Sequence, residues 1–219
     1  AWPLTHLEIY AWSNDEGLYV QRAALANQGY ALYTDVAFNK PPLFIWILQL
    51  GFQLLGQNIA TARLVVLGMT LLGVIALGGV VSQLWGRWAA LAAVWLWVGI
   101  PEVIVRAHVV MTDLPAVALS LVSLWLALRY RLNSTGTVYL VLSGLLYAAA
   151  LLVHPLLGYF GLPIAVALLE PPPQALALQE RGVQRGRRFP FPVGRGLGGR
   201  SLLLFAAIVG GCVLLALAF

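Results

Sequence analysis

The amino-acid sequence predicts an all-α, polytopic integral membrane protein. Three observations carry that prediction. Apolar residues make up 61% of the chain and charged residues only 10%, against about 45–50% apolar in ordinary soluble domains. Mean hydropathy is +0.86, and several apolar runs reach about 17 residues or more, enough to cross a bilayer as a helix. The short alternating segments of a transmembrane β-barrel are missing.

Residues 1–61 are expected to form an extracytoplasmic loop carrying interfacial helices. Ser13-Asn14-Asp15-Glu16 reads as a capping box, in which the Ser13 oxygen accepts from the Glu16 N–H and Glu16 reaches back. Acids in a first helical turn also suit the helix dipole. Gly29 then closes that helix as a left-handed cap. The run 41–56 opens on Pro-Pro, which a helix start tolerates. It has sixteen residues and two glutamines, which is marginal for spanning and better suits an in-plane or re-entrant helix. Phe44, Trp46 and Leu50 are expected to pack into lipid or protein.

Six apolar segments follow, at 63–85, 88–104, 114–130, 137–153, 156–169 and 201–219. Residues 62–169 are therefore read as a bundle of five membrane helices, 170–200 as a basic loop, and 201–219 as a further membrane helix. The chain reads as incomplete. Its single cysteine, Cys212, excludes an intrachain disulfide framework and suits apolar packing.

The sequence pI is about 9.7, but in a membrane protein excess arginine reports topology. With 41–56 not spanning, nine of the thirteen basic residues fall on one side, from Arg87 through Arg129 and Arg131 to the 170–200 loop. That side is predicted to be cytoplasmic. Asp15, Glu16, Asp35, Glu102, Asp113 and all three histidines fall opposite. The protein is thus placed in the cell membrane with its acidic loop extracytoplasmic. A basic juxtamembrane loop is expected to be a topology signal or a contact with anionic membrane lipids, and no RNA- or DNA-binding motif accompanies the arginines, so no nucleic-acid partner is expected. A glycosylation sequon at 133–135 lies on the predicted cytoplasmic side and is discounted.

Three of the eight carboxylates and the only lysine lie between residues 13 and 43. Helix capping explains Asp15 and Glu16 singly, and Asp113 equally well as the cap of a membrane helix. Capping does not explain why Asp15, Glu16, Asp35, Lys40, Arg106, His108 and Asp113 collect at one membrane surface. Ionisable groups beside membrane helices are costly and point to a functional site. Both readings remain open on the residues alone.

The order and spacing of these residues resemble a known family. Asp15-Glu16-Gly17-x-Tyr19, Gly29-Tyr30-x-x-Tyr33-x-Asp35, Lys40-Pro41-Pro42-Leu43, Arg63-Leu64 and the stretch from Arg106 to Asp113 are similar to the GT-C membrane glycosyltransferases. The branch is the one holding protein O-mannosyltransferases and lipid A aminoarabinose transferases. The resemblance runs from about Asn14 to Tyr130. It implies a GT-C-like helical bundle that moves a sugar from a polyprenyl-phosphate donor to an extracytoplasmic acceptor, with inversion.

An inverting transfer needs a carboxylate to take the acceptor proton, and the resemblance gives that role to Asp15. Glu16 and Asp113 complete the catalytic set, with Asp113 orienting the acceptor or supporting the cations. Lys40, Arg63 and Arg106 are the candidates to meet the leaving phosphate, with Tyr19, Tyr33 and Asp35 as candidates to line the substrate pocket, the alternative for the two tyrosines being the commoner role of interfacial anchor. Asn39 stands where some relatives carry Glu or His. A neutral amide is a poor metal ligand, so a bound divalent metal is disfavoured and no cofactor is assigned. The alternative to an enzyme is a non-catalytic, related subunit with other membrane subunits as partners.

Overall fold

The structure is a computed structural model, and it describes residues 14–133, 137–169 and 204–209. Ser13 of the expected capping box, the 170–200 loop, Cys212, most of the sequon and most of 201–219 lie outside the described residues. The regular structure of the described residues is helical, apart from one isolated bridge between Leu32 and Val36.

The first helix, α1 (Asn14–Asn27), carries Asp15 and Glu16 in its first turn. It ends as expected: Gly29 has φ +98°, Gly29 N–H donates to Ala26 and Tyr30 N–H to Leu25. This pair of bonds satisfies the last carbonyls in a Schellman arrangement. Helix α2 (Leu43–Leu55) occupies the core of the run read as an in-plane helix, and Gly56 at φ +93° stops it. Phe44, Ile45, Leu48 and Phe52 are buried, whereas Trp46, Leu50, Leu54 and Leu55 are exposed.

Helix α3 (Ile59–Trp85) begins four residues before the predicted 63–85 segment. Asn58 explains the early start, because its side chain accepts the Thr61 N–H at 2.7 Å. The segment 88–104 is not one helix. It breaks into α4 (Arg87–Val98) and α5 (Pro101–Ala107), bent by 71°. Ile100 is extended at ψ 116° and Pro101 opens α5, because a residue before proline is pushed out of the helical region and proline favours a first helical position.

Helix α6 (Asp113–Asn133) is followed by α7 (Thr137–Val153). The expected helix 156–169 is likewise divided, into a 3-10 turn (Pro155–Phe160) and α8 (Gly161–Leu169). Among the described residues, α3 and α6 are long and apolar enough to cross a membrane, and the bent α4–α5 pair makes a third span if counted as one.

One core unites α1, α2, α3, α6 and α7. Tyr19 and Ala23 of α1 meet Phe44 and Leu48 of α2, Val66 of α3, Leu119 of α6 and Ala150 of α7. The α6–α7 seam is polar and reciprocal: Ser123 Oγ donates to the Ser143 carbonyl at 2.7 Å and Ser143 Oγ to that of Ser123 at 2.8 Å. Small residues and buried hydroxyls are how membrane helices approach closely. Gly79 of α3 serves the same end, since a Cβ there would sit 2.3 Å from the Trp125 ring.

Candidate active site

The chemistry-bearing residues gather at one end of the bundle, where α3 and α6 begin and α7 ends. Glu16 is the pivot. Its carboxylate is fully buried and takes two bonds from Arg63, Nε to Oε1 at 2.8 Å and Nη2 to Oε2 at 2.9 Å. Oε1 also accepts the Val110 backbone N–H at 3.0 Å. Burying a carboxylate demands such compensation, and a two-point guanidinium pair is the strongest kind available. The first turn of α1 is thereby tied to α3 and to the loop that leads into α6.

Two of the predicted site residues, Glu16 and Arg63, therefore present no charge to solvent. Asp15, their neighbour, is exposed and forms no ion pair with any described residue.

A second group surrounds Lys40. Its ammonium donates to the Tyr19 hydroxyl at 2.5 Å, and Tyr19 is itself buried edge-on against Phe44. Tyr33 hydroxyl donates to the Lys40 carbonyl at 2.8 Å. Tyr33 holds φ +76°, a conformation uncommon for any residue but glycine and costly for a bulky one. The loop fixes it there: Tyr33 N–H donates to the Val36 carbonyl and Asp35 N–H to that of Ala31. The Asp35 carboxylate caps the loop by accepting the Ala31 N–H at 2.9 Å. Partial burial pushes the Tyr33 phenol above its usual range. Tyr30, Tyr33, Trp46 and Gln49 border an open cleft of about 270 Å³ on this side.

The third group is centred on Asp113 at the start of α6. Arg106 donates to Asp113 Oδ2 from Nη1, and its Nε donates to Glu102 at 2.6 Å. His154 Nε2 lies 3.4 Å from Asp113 Oδ1. Arg106 is thus shared between two carboxylates. His108 is turned inward with Nδ1 2.6 Å from the Ile104 carbonyl. Sequence reasoning missed His154 as a neighbour of Asp113. The only available signal was its place before Pro155, which ends α7 at this level.

Among the described residues no three His, Cys, Asp or Glu side chains form a metal site, and Asn39 adds only a neutral amide.

The comparison with known families decides the assignment. The family model described as dolichyl-phosphate-mannose-protein mannosyltransferase matches residues 39–184. The chain belongs to that family. The match opens one residue before Lys40 and includes Arg63, Arg106 and Asp113, while Asp15, Glu16 and Tyr19 precede it. The fold is also that of ArnT from Cupriavidus metallidurans, whose crystal structure has undecaprenyl phosphate bound. The TM-score is 0.66 at 21% identity, over 97% of this chain and 39% of that one. The chain therefore spans well under half the length of this structural relative. No curated protein matches it. Family membership and fold agree with the predicted GT-C class and with a multi-pass membrane protein.

Proposed function

We propose that this chain forms the donor-side active centre of a membrane glycosyltransferase, which moves a sugar from a polyprenyl-phosphate carrier to an acceptor on the extracytoplasmic face. Family membership supports the reaction class. The observation that carries the reading is the difference in charge compensation among the cations. Arg63 is neutralised by Glu16, and Arg106 by Glu102 and Asp113. Lys40 bonds only a neutral phenol among the described residues, so its charge remains available to a phosphate.

The acceptor hydroxyl attacks the anomeric carbon while its proton passes to the exposed Asp15 carboxylate. The bond from that carbon to the phosphate oxygen breaks, and the phosphate leaves with the electron pair. Lys40 meets the growing negative charge. Glu16 and Arg63 do not touch substrate in this scheme; they hold α1 in place. Arg106 and His154 orient Asp113 toward the acceptor side, and Tyr19 and Tyr33 fix Lys40.

The test is transfer by the purified protein in lipid nanodiscs, with a radiolabelled polyprenyl-phosphate sugar and extracted membrane acceptors. Transfer that disappears with Lys40→Gln at equal protein supports the reading. No transfer by the wild-type protein points instead to a non-catalytic, related subunit.

A further inference from the structure

We infer that Arg22 is a second cation of the lipid-phosphate site, paired with Lys40. This rests on the glycosyltransferase reading above and adds a residue that neither the sequence motifs nor the family match singles out. At the acidic end of the bundle every other described arginine is bound to a carboxylate. Arg22 forms no ion pair with any described residue. Its guanidinium instead lies 5.1 Å from the centre of the Phe38 ring.

That ring links Arg22 to Lys40 through the loop. Phe38 is two residues from Lys40 and packs 6.0 Å from Tyr33, whose hydroxyl holds the Lys40 carbonyl. On the other side, Lys40 Nζ binds the hydroxyl of Tyr19, one helical turn before Arg22. The contacts close a circuit: Arg22, Phe38, Tyr33, Lys40, Tyr19 and back along α1. Stacking on an aromatic face orients a guanidinium while leaving its N–H edge available.

Helical geometry then relates this pair to the proposed base. Asp15, Tyr19 and Arg22 are spaced i, i+4, i+7, which is one stripe of an α-helix. Seven residues rise about 10 Å, room for a sugar ring between a proton acceptor at one end and a phosphate at the other. The chemistry also calls for two cations. The donor is a phosphodiester with one negative charge, and the departing prenyl phosphate carries up to two. A second cation stabilises the charge that develops as the bond breaks, which is where binding accelerates a reaction.

The experiment compares binding of farnesyl phosphate and farnesol to the protein in nanodiscs, for the wild type, Arg22→Gln and Lys40→Gln. The wild type is expected to prefer the phosphate. Each variant should bind farnesyl phosphate about tenfold more weakly, the loss of one charge-assisted contact, with farnesol unchanged. If Arg22→Gln fails to fold, Phe38→Leu takes its place, since it removes the ring that holds the guanidinium and leaves every charge. Farnesyl phosphate affinity should again fall. Wild-type affinity in Arg22→Gln, or in Phe38→Leu, with a loss in Lys40→Gln removes Arg22 and leaves the donor reading intact. A wild type that does not distinguish phosphate from alcohol removes both.

Discussion

A carboxylate and a guanidinium with no exposed surface hold the first turn of α1 to the second turn of α3. Removing one partner of such a pair leaves a buried charge, at a cost of about 3–5 kcal/mol. Arg63→Leu is therefore expected to lower unfolding stability in detergent by that amount. Adding Glu16→Leu should recover part of it, because the uncompensated charge is then gone. A single variant as stable as the wild type would show that the pair does not brace the site. Asp15 and Glu16 are adjacent in sequence, yet one lies in solvent and one in the core. Residue type and spacing marked both as important. They could not say which was buried, because that depends on Arg63, 47 residues away.

Among the elements, the α3–α6 contact rests on a close approach at Gly79. The Trp125 ring lies against the bare Cα of Gly79, where a Cβ would sit 2.3 Å from it. Gly79→Leu must push the helices apart, and overpacking of this kind costs about 1–3 kcal/mol. A lower midpoint of thermal unfolding with retained membrane insertion is the expected outcome, whereas an unchanged midpoint would mean that the helices do not meet there. Hydropathy located the apolar elements well but not their interruptions. The 88–104 segment is apolar throughout, and its 71° break is set by Pro101 and the extended Ile100. Pro101 is visible in the sequence, but the apolar composition on both sides of it carries no sign of the bend. Gly29 was read correctly for the converse reason, since its cap depends only on local backbone geometry.

For the whole molecule, the arrangement puts Asp15, Lys40 and Asp113 at the end where α3 and α6 begin, and Arg87 and Arg129 toward the other. The Arg87 guanidinium lies 5.1 Å from the Trp88 ring and that of Arg129 4.5 Å from Trp125, an aromatic and basic level of the kind found at membrane interfaces. The positive-inside rule predicts a cytoplasmic arginine end, which thiol accessibility tests. In a Cys212→Ser background, an impermeant thiol reagent applied to intact cells is expected to label Asn27→Cys and to spare Trp88→Cys. The reverse pattern would invert the orientation. Loop alternation alone predicts that the acids share one face, and the structure brings Glu16 and Asp113 to the same end of the bundle. The division of cations into compensated and uncompensated was not legible in the sequence, because it requires three-dimensional partners.

If the exposed carboxylate of Asp15 takes the acceptor's proton, Asp15→Asn deprives the reaction of its base. The amide keeps the size of the side chain and suits a helix start, so folding should be preserved. Sugar transfer from the polyprenyl-phosphate donor, measured at equal membrane abundance, is expected to fall about 10²–10⁴-fold, with farnesyl phosphate binding retained. Transfer by Asp15→Asn at the wild-type rate would contradict the account.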